Sequence, residues 1–183
     1  LEVSLTIDTE PTVSAGADES ICGSIYTASA TTSETNGVWT QIDANPPTGI
    51  TGTTNPNQTI NLQAGLIYEF EWCSTNGECE ICDTVEVESN EIPAVPESVE
   101  GNQRVCASGL PATLSVTTAA GTDVEWFSDA SLTTSVGTGL SLSTSTAGTY
   151  YAVATNTTTG CESSSALEVS LTIDTEPTVS AGA

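Results

Sequence analysis

Residues 66–89 read LIYEFEWCSTNGECEICDTVEVES and contain two runs that alternate every second residue. In 66–72, Leu66, Tyr68, Phe70 and Trp72 share one face, and Glu69 and Glu71 take the other. Successive side chains of a strand point to opposite faces, so this run predicts a half-buried strand with its aromatics in a core. Residues 83–89 repeat the pattern, with Val85 and Val87 inward and Glu86 and Glu88 toward water. Between them the Asn76-Gly77 pair of STNGEC favours a tight hairpin turn.

Outward from this hairpin, helix signals are nearly absent. ATLSVTT (112–118), DVEWFSD (123–129), LSLSTST (140–146), TYYAVATN (149–156) and ALEVSLTI (166–173) read as strands. SDASLTTS and NTTTG read as turns between them. Short strands at regular spacing predict an all-β sandwich. NEIPAVPESVEG (90–101) divides the chain, because Pro93 and Pro96 interrupt strand pairing and stiffen a linker. Each part has roughly eighty residues, a length that supports only a thin core.

The chain has 183 residues, 24 of them acidic, with Arg104 as its single cation and no Lys or His, for a net charge of −23. Phosphate backbones and anionic membrane surfaces repel such a chain, so no nucleic-acid partner is expected. No window approaches the ~20 apolar residues of a membrane span. Without His or Lys there is no Ser-His-Asp triad, Cys-His pair or Schiff-base lysine. The acids are scattered along strands and linkers, so no enzyme activity is expected. Six cysteines, Cys22, Cys73, Cys79, Cys82, Cys106 and Cys161, suggest disulfides and an oxidising, extracellular setting. A zinc reading of CEIC (79–82) lacks the second close pair or the histidines such a site uses.

LEVSLTIDTEPTVSAGA occurs twice, at 1–17 and at 167–183, identical at all seventeen positions. Leu167 restates Leu1, which defines a period of 166 residues. The segment reads as the last strand of one domain followed by a lead into the next. Residues 1–10 are then the last strand of a preceding repeat plus linker, 11–92 and 93–175 are two sandwiches, and 176–183 begin the next repeat.

PTVSAGADESICG, NGVWTQI, TNPNQT, AGLIYEFEW and STNGECEICDTVEVE resemble a PKD-like (polycystic-kidney-disease-like) module. VCASGLPATLSV, VEWFSDASLTTSVGTG, GTYYAVATNTTTGCES and ALEVSLTI resemble the immunoglobulin-like module that often accompanies it. Both are common in very large secreted surface proteins of Bacteroidota-type bacteria, often delivered by the type IX route. The resemblance implies stalks, adhesins and repeat fibres rather than a catalytic site. It also implies Cys22–Cys79 and Cys106–Cys161 disulfides; Cys73 and Cys82 depart from its pattern and are expected to form an extra staple across the hairpin. On sequence alone, 22–82 with 73–79 and 22–73 with 79–82 stay open. AGTYYAVA resembles a tyrosine corner, so Tyr150 should anchor backbone, and Trp39, Trp72 and Trp126 should fill cores.

The acids near the linkers, Asp18, Glu19, Glu88, Glu91, Glu97 and Glu100, are candidate calcium ligands, although no DxDxDG loop is present. The plainer reading is a solvated acidic surface that keeps neighbouring fibres apart. Asn57 and Asn156 sit in N-glycosylation sequons. DTV (83–85) resembles an O-glycosylation motif, with Thr84 outward. The expected function is a structural repeat unit of a long extracellular, cell-surface fibre or adhesin stalk, its partners being copies of itself head to tail. The alternatives are a surface module binding a host, glycan or neighbouring-cell ligand through the loop at 43–58, and a pilus-like subunit polymerising by strand exchange.

Overall fold

In the computed structural model, residue 3 and residues 7–179 are described. The chain forms two compact units, Leu1–Glu91 and Ile92–Ala183. Each is an immunoglobulin-type β-sandwich, and the only helix among the described residues is a single 3-10 turn, Ala107–Gly109.

The first unit contains β1 (Val13–Ser14), β2 (Glu19–Cys22), β3 (Ile25–Thr27), β4 (Thr31–Thr32), β5 (Val38–Gln41), β6 (Thr59–Asn61), β7 (Leu66–Asn76) and β8 (Cys79–Asn90). Its main sheet runs β2-β8-β7-β5, and the ladders β3–β6 and β1–β4 complete it. The predicted hairpin is its spine, and it is longer than the alternation suggested. Leu66 faces Ser89 at one end and Asn76 faces Cys79 at the other. The turn is therefore Gly77-Glu78, one residue later than expected. Gly77 supplies a φ of 61° while Glu78 keeps a negative φ, as a type II′ turn requires.

Tyr68, Phe70, Trp72, Val85 and Val87 turn inward to meet Tyr26, Trp39, Ile50 and Ile60. Trp39 and Trp72 face each other across β5 and β7, with ring centroids 5.0 Å apart. Glu69, Glu86 and Glu88 face water, as the alternation requires, while Glu71 is half-buried.

The second unit contains β9 (Glu97–Ser98), β10 (Gln103–Cys106), β11 (Ala112–Thr117), β12 (Thr122–Phe127), β13 (Ser135–Thr138), β14 (Ser141–Thr144), β15 (Gly148–Asn156) and β16 (Leu167–Asp174). One sheet runs β10-β16-β15-β12-β13 and the other β14-β11-β9. Trp126 lies at the centre of a core shared with Leu114, Val124, Tyr150, Val169 and Leu171. β9, β10 and β13 carry no clear apolar alternation and are edge strands. An edge strand bonds on one side and buries little, so its pattern is faint.

Both units add an early strand parallel to their last one. β2 runs beside β8 with Cys22 opposite Asn90, and β10 runs beside β16 with Cys106 opposite Asp174. This register overturns two of the implied disulfides. Cys79 begins β8 and Asn90 ends it, so Cys22 and Cys79 lie about 36 Å apart along that strand at ~3.3 Å per residue. A disulfide needs Cα atoms within about 7 Å. In the second unit, Cys106 lies beyond the Gly148 end of β15, whereas Cys161 bonds at its Asn156 end. Cys79 and Cys106 are free thiols, and neither Cys22–Cys79 nor Cys106–Cys161 forms. Cys22 and Cys161 are not free.

The expected staple is present. Cys73 and Cys82 are direct cross-strand partners and are bonded, with Cα atoms 4.0 Å apart. Both alternative pairings of the first-unit cysteines are thereby excluded. Of residues 1–7, read from sequence as a preceding repeat's strand, only Val3 and Ile7 are among the described residues. The other five lie outside them, as do residues 180–183 of the stretch read as the next repeat.

Candidate functional site

Within each unit, the acids singled out as calcium ligands do not gather. Asp18 accepts the Glu86 amide at 2.9 Å, and Glu88 accepts the Ser20 hydroxyl at 3.0 Å. Within the first unit, Asp18, Glu19, Glu88 and Glu91 are exposed and form no cluster of three ligands. Glu97 and Glu100, in the second unit, are also exposed. Among the described residues one close group of metal-ligand types exists, Glu71 with Cys73 and Cys82. Its two sulfurs are bonded to each other, so neither offers a thiolate. The same bond removes Cys82 from any CEIC site.

Thr84 is exposed on β8 opposite Glu71, and Asn57 is exposed as well. Asn156 is half-buried, and its side-chain oxygen accepts the amides of Thr158 and Thr159 at 2.9 and 3.1 Å, so it shapes the β15 turn. The four aromatics expected in cores are buried: Trp39, Trp72, Trp126 and Tyr150. Tyr150 donates to the Thr146 carbonyl at 2.8 Å, the backbone anchor of a tyrosine corner.

The loop at 43–58 is organised from within. Asp43 accepts the amides of Glu69 and Asn45 at 2.8 and 2.7 Å and the Gln41 side chain at 3.1 Å. Partial burial opposes ionisation of Asp43, but these hydrogen bonds outweigh it and hold its carboxyl below the usual range. Asp129 does the same for the β12–β13 turn. The Thr133 amide is the leading cause of its lowered pKa, and the Thr134 amide adds to it at 2.7 Å.

The geometry that stands out lies at the two places where the repeated segment begins its linker. At 174–176, Arg104 grips Asp174 through two parallel bonds, Nε to Oδ2 at 2.5 Å and a terminal nitrogen to Oδ1 at 2.7 Å. Those bonds and the guanidinium charge lower the Asp174 pKa. Glu176 accepts the Ser108 amide at 3.0 Å. At 8–10 the same residue types meet the β7–β8 turn. The Asn76 side chain donates to the Thr9 carbonyl at 3.0 Å, and the Glu78 amide donates to Asp8 at 3.3 Å. The Cys79 sulfur lies 3.8 Å from the Asp8 carbonyl oxygen. Sequence reasoning had the repeat but not these contacts, because nothing local marks Asn76, Glu78 or Arg104 as partners of a distant linker.

Both units have the immunoglobulin-type sandwich fold. Residues 93–174 match the family described as Ig-like domain, CHU_C associated. Extracellular domains 3–5 of Drosophila OTK superpose with a TM-score of 0.50 and 12% identity, over 92% of this chain and 61% of that one. Fibronectin(III)-like modules of Clostridium thermocellum CbhA give a TM-score of 0.46 and 13% identity over 94% of this chain and 100% of that one. The chain thus spans about three fifths of the OTK structure's length, and at such identities the likeness is one of fold. No curated protein matches the chain. Among the described residues no helix is long and apolar enough to cross a membrane.

Proposed function

We propose that the chain is a structural repeat unit, with a period of 166 residues, of a long extracellular fibre or adhesin stalk. The observation that carries this reading is the fate of the repeated segment. As 167–174 it is β16, hydrogen-bonded to β10 and β15, and Val169 is 1% exposed. The identical residue at the first occurrence, Val3, is 86% exposed. Val3 and Ile7, the residues of 1–7 that are described, are exposed, whereas Val169 is buried; this supports a first occurrence that finds its core in another copy. On this reading the first occurrence closes the second unit of a preceding copy, and DTEPTVSAGA leads onward into a first unit of PKD-like type. The slot for this strand is filled within the chain by β16, which favours covalent continuity over strand exchange.

The chemistry agrees with a structural role. The acidic, Lys-free surface keeps copies apart, and the chain brings no His or Lys to a reaction. Intact-mass measurement of the native polypeptide under denaturing, reducing conditions tests the proposal. Masses built from consecutive 166-residue increments are expected. Single-period species that separate in denaturant would replace the continuous fibre with a strand-exchanged polymer.

A further inference from the structure

The residues Asp-Thr-Glu are seen in two settings. As 174–176 they close the second unit, with Arg104 on the aspartate and Cys106 as that aspartate's strand partner. As 8–10 they lie on the first unit's hairpin, with Asn76, Glu78 and Cys79 around them. If copies follow one another, as proposed above, these are one segment. At each junction it belongs to the unit before and to the unit after.

The two contact sets are compatible. Their side-chain bonds use different groups except for the aspartate Oδ2, which takes Arg104 Nε in one setting and the Glu78 amide in the other. A carboxylate oxygen has two lone pairs and accepts both. The free thiols, Cys79 and Cys106, are the cysteines that flank this residue. Each unit has one cysteine ending the strand parallel to its last strand, Cys22 and Cys106, and one at the entry to its last strand, Cys79 and Cys161. Cys22 and Cys161 are engaged, and one of each kind is left over.

We propose that Cys106 of one copy and Cys79 of the following copy form a disulfide across every junction, with Arg104 holding the aspartate between them. Strand partners lie about 4.8 Å apart, so Cys106 and the Cys79 sulfur approach the same residue from the two units within side-chain reach. The two thiols lose two protons and two electrons. A low-molecular-weight disulfide, or the disulfide of a thiol oxidase, accepts them and leaves as two thiols.

A polypeptide of two consecutive periods, oxidised with glutathione disulfide and digested with pepsin at acid pH, tests this. One peptide joining Cys106 to Cys79 per junction is expected, while dilute 183-residue chain should alkylate at both thiols. Cys106→Ser should abolish that peptide and leave the following copy's Cys79 alkylatable. If both thiols alkylate fully in the oxidised two-period chain, or if the 183-residue chain alone yields the same peptide, the proposal is overturned. The repeat reading is judged separately by the mass of the native polypeptide. A native multi-copy chain with both thiols free keeps the repeat and removes the bond.

Discussion

The two sandwiches share a fold and differ in what secures it. The first relies on one long hairpin, stapled at Cys73–Cys82 and filled by the facing Trp39 and Trp72. Its core leaves the Tyr26 hydroxyl, Thr53 Oγ1 and Trp72 Nε1 buried without partners among the described residues. Burial, with Glu19 adding to it, pushes the Tyr26 hydroxyl up to about 12. The second unit has one tryptophan, whose Nε1 donates to the Gly139 carbonyl at 2.9 Å, and a tyrosine whose hydroxyl is bonded to both Thr144 and Thr146. An unpaired buried polar group costs more than a typical made hydrogen bond returns. The first unit thus pairs unmet buried polar groups with a staple inside its hairpin, whereas the buried indole and phenol of the second are both hydrogen-bonded.

The sharpest way to break that comparison is to remove a central ring. Trp126→Ala should destabilise the second unit by about 3–5 kcal/mol, because a fully buried indole leaves a cavity that the sheets cannot close. Urea titration followed by NMR amide signals of each unit reads the effect. Equal loss in the first unit would show that the cores are not independent.

Opening the staple comes next. Replacing Cys73 and Cys82 together by Ala should cost the first unit about 2.5–3 kcal/mol on the chain-entropy account of a short loop. A change below about 0.5 kcal/mol by the same titration would mean that the hairpin needs no staple.

Gly37→Ala should cost about 1–3 kcal/mol, since a methyl group there would overlap the Trp72 ring. Thermal unfolding with an unshifted midpoint would show that the ring can give way. Tyr150→Phe in the second unit should cost only about 1 kcal/mol, the net worth of a hydrogen bond, measured by the same melt.

The smallest effect is one of pH. Asp43 has its folded-state pKa lowered, so its contribution is present above the unfolded value near 3.8 and fades as pH falls through the folded value. Acid should therefore loosen the loop at 43–58, and Asp43→Asn should flatten that dependence. Hydrogen exchange at the Asn45 and Glu69 amides reads it, and an unchanged acid response in the variant would remove Asp43 as the cause.

Sequence legibility followed the range of the interaction. Leu66 to Val87 announced their hairpin because alternation is a local property and burial rewards it directly. The turn slipped by one residue because Gly77 serves a type II′ turn as its first residue, not only an Asn-Gly turn as its second. β10 and β13 were faint because edge strands bury little. The disulfides implied by resemblance failed because cysteine spacing carries no information on which strand ends are neighbours.

By itself, the sequence determined the all-β class, the inward faces of the long strands, the recurrence of seventeen residues at a spacing of 166, and a composition with one Arg and no Lys or His. These follow from local periodicity and composition, which need no knowledge of the fold. Only the tertiary structure decided that β2 and β10 join the sheets parallel to the last strands. That register puts Cys22 and Cys79 at opposite ends of β8, leaves Cys79 and Cys106 free, and sets Arg104 on Asp174. Pairing of strands distant in sequence is chosen by the shared core and backbone hydrogen bonding of the whole sandwich, and no short stretch of the chain contains that choice.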